Sequence, residues 1–252
     1  MTPDYAQNAA FHDALAKQYD SRLESNRYNR LARTAFHDIV AAHVAPGSTL
    51  LDFGCGTGID ALHYARQGFR VLAYDNSAGM VGQLERRCAA EIASGQVQSC
   101  AFDYGRFPAS LPAWPAPQAI VANFAVLNSI RDVAALFASF SRLLPPAGVV
   151  IVSVLNPIHW SKVRMSAWWT NALPHPRGPR LIARQPCETY LHFVPALRQA
   201  APDFELVGRA NAGAQVRFDG RDSRRWNAGG LLWATPAYKL LGHFVFLVWR
   251  RR

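Results

Sequence analysis

The chain has 252 residues, of which half are hydrophobic and 17% are charged, so it is long enough for one domain with a sizeable core and is not a disordered chain. Its formal net charge is +10, yet only three of the 27 basic residues are lysines, a bias typical of GC-rich genomes. An anionic partner such as nucleic acid is the alternative explanation of this charge, but no basic tail, repeat or RNA-binding motif supports it.

The cysteines lie far apart in the sequence, at Cys55, Cys88, Cys100 and Cys187. Since no C-x-x-C pair is present, we predict no metal site and expect reduced thiols in a cytoplasmic protein. The N-terminus lacks the charged and then apolar segment of a secretory signal, which agrees with a cytoplasmic location.

The first predicted elements are a helical N-terminal segment over residues 1–45 and a strand–turn–helix unit after it. Apolar residues recur at helical spacing at Leu31, Ala35, Phe36, Ile39 and Val40. Pro46 and Gly47 then end the helix. A strand over Thr49–Phe53 follows, and a helix begins at Ile59 and ends near Gln67.

Strands and helices continue to alternate as far as residue 155. The predicted strands are Arg70–Tyr74, Val97–Phe102, Gln118–Asn123 and Val149–Leu155, and the predicted helices run from Ser77 to Gly95 and from Asp132 to Leu144. This alternation predicts a doubly wound parallel sheet with right-handed crossovers. Ligands bind to such sheets beyond the carboxyl ends of the strands.

Two long connections interrupt the alternation in the C-terminal part. They cover residues 156–190 and 210–243, between predicted strands at Thr189–Phe193, Phe204–Arg209 and Phe244–Arg250 and a predicted helix from Pro195 to Ala201. We interpret both as insertions that form a substrate-binding cap, and a surface elaboration or dimer contact is the alternative. Their tryptophans are Trp160, Trp168, Trp169, Trp226 and Trp233, and arginines accompany them. This composition favours an anionic or an aromatic and lipophilic substrate.

The C-terminal apolar stretch, Leu231–Trp249, does not predict a transmembrane helix. Pro236, Lys239 and His243 interrupt it, and three arginines follow it. A spanning helix needs about 20 predominantly apolar residues. Peripheral contact with lipid stays open as an alternative.

The most informative stretch is LLDFGCGTG at Leu50–Gly58, in which a strand leads into three alternating glycines. An acidic residue, Asp75, ends the next strand, where its carboxylate can accept hydrogen bonds from a ribose. A dinucleotide site requires G-x-G-x-x-G, whereas here the third glycine comes one residue early. Asp60 in the following helical turn would repel a pyrophosphate, and Asp52 adds a second acid, so the pattern favours a ligand that is cationic here.

Together with AFDY at Ala101–Tyr104 and IVANFAVLNSI at Ile120–Ile130, these motifs resemble class I S-adenosylmethionine-dependent methyltransferases. The resemblance covers roughly residues 15–157. It implies a single domain over residues 1–252 with a Rossmann-like, seven-stranded α/β sheet, mostly parallel with the last strand antiparallel. It also implies S-adenosyl-L-methionine as the cofactor and S-adenosyl-L-homocysteine as the product.

The resemblance implies a role in cofactor binding for a set of residues. The glycines would line the methionine and ribose portions, Asp75 would take both ribose hydroxyls, and Asp103 would accept from the adenine amino group. The full set is Tyr19, Arg30, Asp52, Gly54, Cys55, Gly56, Gly58, Asp75, Asn76, Ser77, Phe102, Asp103, Tyr104 and Asn123. Tyr19 and Arg30 resemble cap residues over the methionyl end, and the Asn123 backbone carbonyl would meet the methionyl amine.

The acceptor side carries less information. Enzymes that methylate nucleobases or glutamine often show N/D-P-P-Y/F after the fourth strand, whereas this chain has Asn123 followed by Phe-Ala-Val. His159 lies near the expected substrate entrance, where a neutral imidazole could remove a proton, and Tyr190 and His192 are further candidates for a catalytic base. A structural role is the alternative for each.

These observations predict a methyltransferase that moves a methyl group to an O, N, S or C nucleophile of a small molecule. The resemblance favours secondary-metabolite, quinone or lipid biosynthesis. The alternatives are an RNA or protein methyltransferase and a non-catalytic protein that binds S-adenosylmethionine. We expect a monomer or a homodimer.

Overall fold

The computed structural model describes residues 5–159, 180–183, 187–211 and 242–252. Most of the two predicted insertions, with the five tryptophans named above, lies outside the described residues. The predictions made for those positions therefore remain predictions.

The described strands form one large sheet and one small one. They are β1 (Thr49–Phe53), β2 (Arg70–Asp75), β3 (Val97–Ala101), β4 (Ala119–Ala122), β5 (Val149–Leu155), β6 (Arg180–Ala183), β7 (Thr189–Leu191), β8 (Phe204–Asn211) and β9 (Phe244–Arg251). The seven-stranded sheet has the order β3-β2-β1-β4-β5-β9-β8, and β6 pairs with β7. The first five strands of this order are parallel, and β9 is antiparallel to both neighbours. The predicted fold class is confirmed.

The described α-helices are α1 (Tyr5–Glu24), α2 (Arg27–His43), α3 (Ile59–Arg66), α4 (Ala78–Arg87), α5 (Ala89–Ala93), α6 (Val133–Leu143) and α7 (Val194–Ala200). The single helix predicted from Ser77 to Gly95 was wrong, because the helical run breaks at Cys88 and yields α4 and α5. Helix α1 lies within the helical segment predicted over residues 1–45, but the sequence pattern did not give its bounds. Only Asn8 and Ala16 are buried on that helix, so it lacks the apolar stripe from which helices are predicted.

The core consists of two apolar layers, one on each face of the large sheet. Strand β9 contributes to both, because Phe244, Phe246 and Val248 face one layer. Val245, Leu247 and Trp249 face the other. All five residues of β1 are buried, as expected for a central parallel strand covered on both faces. Across the described ranges, no helix combines the length and the apolar character needed to cross a bilayer.

The sheet order places three carboxyl ends side by side. Strand β1 lies between β2 and β4, with Phe53 opposite Tyr74 and Asp52 opposite Val121. The glycine motif after β1, the acid at the end of β2 and the turn after β4 therefore meet at one edge of the sheet. This is the edge at which the sequence predicted a ligand.

Candidate functional site

The three glycines of the turn serve different purposes. Each has a positive φ, at +76° for Gly54, +53° for Gly56 and +81° for Gly58. A Cβ on Gly54 would lie 2.5 Å from Val126 Cγ1, and one on Gly58 would lie 2.6 Å from Leu84 Cγ, so these two allow close packing. A Cβ on Gly56 would meet no atom within 4 Å. Gly56 therefore keeps space open on the wall of a pocket, which it lines.

Asp75 is held beside that turn by the backbone. Its Oδ2 accepts a hydrogen bond from the Gly56 N–H at 2.9 Å, and its Oδ1 accepts one from the Ser77 N–H at 2.9 Å. Burial raises the pKa of the Asp75 carboxyl, although the backbone hydrogen bonds and the charge of His12 oppose the rise. Each oxygen of a carboxylate can accept more than one hydrogen bond, so both remain able to bind ligand hydroxyls.

The pocket brings together part of the predicted cofactor set. Those that line it are Tyr19, Gly54, Cys55, Gly56, Asp75, Asn76, Tyr104 and Asn123. Those that do not line it are Arg30, Asp52, Gly58, Ser77, Phe102 and Asp103. Helix α1 contributes further lining residues that were not predicted, among them Tyr5, Asn8 and His12.

The predicted residues outside the lining have contacts of their own. Ser77 caps α4, since its Oγ accepts from the Met80 N–H at 3.1 Å. Asp103 is exposed and accepts from the Gly105 N–H at 2.7 Å. The ring of Phe102 packs against that of Tyr74 with 4.5 Å between centroids. Roles in cofactor binding for these residues stay predictions.

Arg33 is a pocket residue that the sequence pattern missed. Arg30, the predicted residue, is exposed and donates to the Glu24 carbonyl, whereas Arg33 is buried and lines the pocket. The Arg33 guanidinium lies 4.5 Å from the centroid of the Phe124 ring. Arg33 stands one turn before Phe36 on the apolar face of α2, and this position predicts that its side chain is buried. Since a buried arginine requires polar partners, this pattern could have indicated Arg33 as a site residue.

The Asp60 carboxylate is the principal partner of Arg33. It accepts from Arg33 Nη1 at 2.6 Å, from the His37 ring at 2.7 Å and from Asn123 Nδ2 at 3.1 Å. Burial raises the pKa of Asp60, but the hydrogen bond from His37 and the charge of Arg33 outweigh burial and lower the pKa to about 2. The negative charge that the sequence predicted at Asp60 is therefore balanced by the Arg33 guanidinium.

Asp52 differs from Asp60, because it is buried and forms no ion pair with the described residues. Its Oδ2 has no hydrogen-bond partner among the described residues. Burial, with the nearby charges of Asp60 and Asp75, raises the pKa of the Asp52 carboxyl well above its ordinary value. A buried carboxyl of this kind favours a positive charge beside it.

Helix α1 lies across the pocket and is held there by two acids. Asp13 Oδ1 accepts from Ser77 Oγ at 2.5 Å, at the start of α4. Asp20 Oδ1 accepts from Thr57 Oγ1 at 2.5 Å, and Asp20 also pairs with Arg87. Because these contacts are polar, α1 covers the pocket without a large apolar interface.

The turn after β4 is strained where it borders the pocket. Phe124 and Ala125 have φ of +53° and +65°, a region that side chains other than glycine seldom adopt. The Asn123 side chain supports the turn, accepting from the Phe124 N–H at 2.8 Å and from Ser153 Oγ at 3.1 Å. Strain of this kind persists where the surroundings enforce it and clusters at functional sites.

None of the three candidates for a catalytic base lines the pocket, although His192 contacts Ile130, which does. His192 is buried, with Nε2 at 2.8 Å from the Ile130 carbonyl, and burial lowers its pKa to about 4. The Tyr190 hydroxyl donates to Glu188 at 2.6 Å, and burial raises the pKa of Tyr190. His159 is buried, and its ring lies 5.3 Å from that of His243. A catalytic role for each remains a prediction.

Comparison with known proteins agrees with this geometry. A family model described as a methyltransferase domain matches residues 18–188. Demethylmenaquinone methyltransferase of a Parafrankia species is 26% identical over 86% of this chain and 89% of that protein. Malonyl-[acyl-carrier protein] O-methyltransferase of Serratia marcescens is 31% identical over 77% of this chain and 74% of that protein. The solved structure of the [4+2]-cyclase SpnF has a TM-score of 0.66 at 18% identity, covering 99% and 97% of the two chains.

The chain belongs to the methyltransferase-domain family, in the class I, S-adenosylmethionine-dependent fold class. The predicted family, fold and cofactor are confirmed. The described residues suit this cofactor, because Gly56 leaves room at the pocket wall and Asp75 presents two oriented oxygens. Among the described side chains, no group of three or more His, Cys, Asp or Glu residues could hold a metal ion.

Proposed function

We propose that this chain transfers a methyl group from S-adenosylmethionine to a small molecule. The observation that carries the proposal is the orientation of Asp75, whose two oxygens are set by the Gly56 and Ser77 N–H groups at the edge of the pocket. A carboxylate held in this way is suited to two neighbouring hydroxyls of a ribose. When bound, the cofactor supplies a methyl group already activated by its sulfonium.

The remaining work of the site is binding, orientation and exclusion of water. Asp75 would hold the ribose, and Tyr104 would border the adenine. Arg33 supplies a guanidinium within the pocket, which suits the carboxylate of a methionyl group. Helix α1 covers the site, which limits the access of water. Aligning donor and acceptor in this way can contribute several kcal/mol to catalysis.

The proposed acceptor is a small molecule from quinone, lipid or secondary metabolism. The names of the two relatives support this class, since one refers to demethylmenaquinone and the other to a malonyl group on acyl-carrier protein. An anionic or lipophilic acceptor is the finer form of the proposal. The proposal also includes a cytoplasmic location and a monomeric or homodimeric state. The four free cysteines support the proposed location.

A second candidate is a protein that uses this fold for another purpose. The structure of SpnF, which covers nearly the whole chain, is described as that of a [4+2]-cyclase. Fold alone therefore does not determine the reaction. An RNA or protein substrate has only the positive charge of the chain in its favour.

Calorimetry with S-adenosylmethionine and S-adenosylhomocysteine tests the cofactor site. Asp75→Ala should weaken binding at least about 100-fold, because two hydrogen bonds to a charged group are lost. Asp38→Ala is the matched control, since Asp38 is an exposed acid on α2. Equal affinity of the wild type and Asp75→Ala would contradict the site.

Transfer of label from an isotope-labelled methyl donor then identifies the acceptor class. We expect labelled products in the small-molecule fraction of a cell extract. Labelled RNA or protein would instead support a macromolecular substrate. Tight cofactor binding without transfer to any fraction would support the second candidate.

A further inference from the structure

His12 is a pocket residue to which neither the sequence nor the proposed function assigns a role. Among the histidines that the structure describes, it alone lines the pocket. Its ring makes edge contacts with Phe11 at 5.3 Å and with Tyr19 at 6.3 Å between centroids, which restrict its orientation. Its position on α1 places it near Asp75, where the charge of His12 opposes the rise that burial causes in the pKa of that carboxyl.

The hydrogen bond of the His12 ring determines its tautomer. Nδ1 lies 2.8 Å from the Asn8 carbonyl oxygen. A carbonyl can only accept, so Nδ1 carries the hydrogen in this contact. In the neutral ring Nε2 is then left with a lone pair and acts as an acceptor.

We propose that neutral His12 accepts a hydrogen bond from a ribose hydroxyl of the donor through Nε2, alongside Asp75. This inference rests on the proposed function. Two neighbouring hydroxyls enter the pocket as donors, and each needs an acceptor once water is excluded, because an unpaired buried hydroxyl is costly. Asp75 can accept from both hydroxyls although each of its oxygens already accepts a backbone N–H, and Nε2 of His12 offers one of these hydroxyls a second acceptor with which its hydrogen is shared in a three-centre bond.

A dependence of cofactor affinity on pH follows. The charged and titratable groups near His12 are Asp13 and Tyr19 on α1 and Asp75 at the end of β2, and the Arg33–Asp60 pair lines the same pocket. A protonated ring cannot accept a hydrogen bond, so affinity should fall as the pH decreases. Binding near neutral pH should release a proton.

The test is calorimetry with S-adenosylhomocysteine, which lacks the sulfonium charge, at about pH 8 and about pH 5.5, the range in which histidine changes its charge. The variants are His12→Ala and His12→Gln. Gln offers an amide oxygen that accepts at either pH. His43→Gln is the matched control, because His43 is exposed at the end of α2. Buffers of different ionisation enthalpy report the proton release.

We expect His12→Ala to bind about three- to tenfold more weakly than the wild type at the higher pH, as for one lost hydrogen bond. His12→Gln should keep its affinity and lose most of the pH dependence and the proton release. Unchanged affinity in His12→Ala, or the same pH dependence in His12→Gln as in the wild type, would overturn the proposal. A wild type that binds neither S-adenosylmethionine nor its product would overturn the proposed function as well. Loss of binding only in Asp75→Ala would overturn the role of His12 alone.

Discussion

Arg33 Nη1 lies 2.6 Å from Asp60 Oδ1, and this contact joins α2 to the first turn of α3 beside the glycine motif. Both side chains are about nine-tenths buried. The guanidinium also contacts Glu24 at 3.2 Å, at the end of α1. One buried pair therefore connects both N-terminal helices to the edge of the sheet that the pocket occupies.

Replacing the acid of this pair should destabilise the fold. Asp60→Asn leaves the buried Arg33 with the partly exposed Glu24 as its charged partner, so we expect a loss of about 3 kcal/mol in the free energy of unfolding at neutral pH. The pKa of Asp60 is lowered to about 2, so its stabilisation is present above the ordinary value of 3.8 and is lost as the pH falls toward 2. The difference in the free energy of unfolding between the wild type and Asp60→Asn should therefore become smaller as the pH falls over that range. Urea unfolding at several pH values measures it.

Asp38→Asn is the control for this experiment, because Asp38 lies on the same helix and is exposed. It should change stability by no more than about 0.5 kcal/mol. If Asp60→Asn is equally harmless at neutral pH, the buried pair does not stabilise the protein.

Two glycine substitutions separate backbone strain from loss of cofactor space. Gly56 and Gly68 have φ of +53° and +87°, and a Cβ on either would meet no atom within 4 Å. Alanine at either position should cost about 1–2 kcal/mol of stability through strain. Only Gly56 lines the pocket, so only Gly56→Ala should also weaken binding of S-adenosylmethionine, by about tenfold or more. Similar affinities for the two variants would show that the space beside Gly56 is not used.

Much of the fold and part of the pocket could be predicted because their signals are local. The alternation of apolar strands and helices predicts the sheet, and the run from Leu50 to Gly58 predicts the turn. The place of Asp75 beside that turn could be predicted as well, since it depends only on standing at the end of the neighbouring strand. Each inference uses neighbours in the sequence or the general geometry of parallel sheets.

The remainder depends on contacts between distant segments. Helix α1 has no apolar stripe, and its place over the pocket depends on Asp13 and Asp20 meeting residues more than 30 positions away. The ion pair of Asp60 depends on which face of α2 packs against the sheet. The same orientation determines that Arg33, and not Arg30, lines the pocket. Sequence periodicity indicates that a helix is amphipathic, but it does not show which polar residue at the border of the buried face finds a partner.

His192 should behave as a buried structural histidine in stability measurements. Its pKa is lowered from 6.5 to about 4 by burial, so the unfolded chain binds a proton between these values and the folded chain does not. Stability should therefore fall by about 3 kcal/mol as the pH decreases through this interval. In His192→Gln that loss should be absent, which urea unfolding from about pH 7 to about pH 4 detects. His43→Gln is the exposed control, and an unchanged pH dependence in His192→Gln would refute this explanation.

The polar contacts of α1 should control how readily the pocket opens. Asp20→Ala removes the acceptor for the Thr57 hydroxyl and the acidic partner of Arg87. We expect amide hydrogen exchange within Tyr5–Glu24 to become about tenfold faster, as for the loss of about 1.4 kcal/mol of local stability, with weaker cofactor binding. Lys17→Ala changes an exposed residue of the same helix and should leave exchange unaltered. Exchange at wild-type rates in Asp20→Ala would mean that other contacts hold the helix.

The Asp52 carboxyl should lower the free energy of unfolding while it favours binding of the charged cofactor. Burial and the charges of Asp60 and Asp75 raise the pKa of the Asp52 carboxyl above its ordinary value of 3.8. At a pH above 3.8 the unfolded chain ionises this carboxyl freely, whereas the folded chain must either retain the proton or bury the charge, and both destabilise the folded state. Asp52→Asn removes that cost, and we expect the variant to be roughly 1–3 kcal/mol more stable at neutral pH.

The same substitution should impair selection of the charged donor. A positive sulfonium favours a carboxylate nearby and the uncharged product does not, so Asp52→Asn should weaken binding of S-adenosylmethionine more than binding of S-adenosylhomocysteine. Urea unfolding and calorimetry with both ligands measure the two effects on one preparation. The stability gain should disappear as the pH falls below the ordinary value of 3.8, where the carboxyl is protonated in both states. A less stable variant, or an equal loss of affinity for the two ligands, would show that the buried carboxyl serves the packing of the fold rather than the charge of the donor.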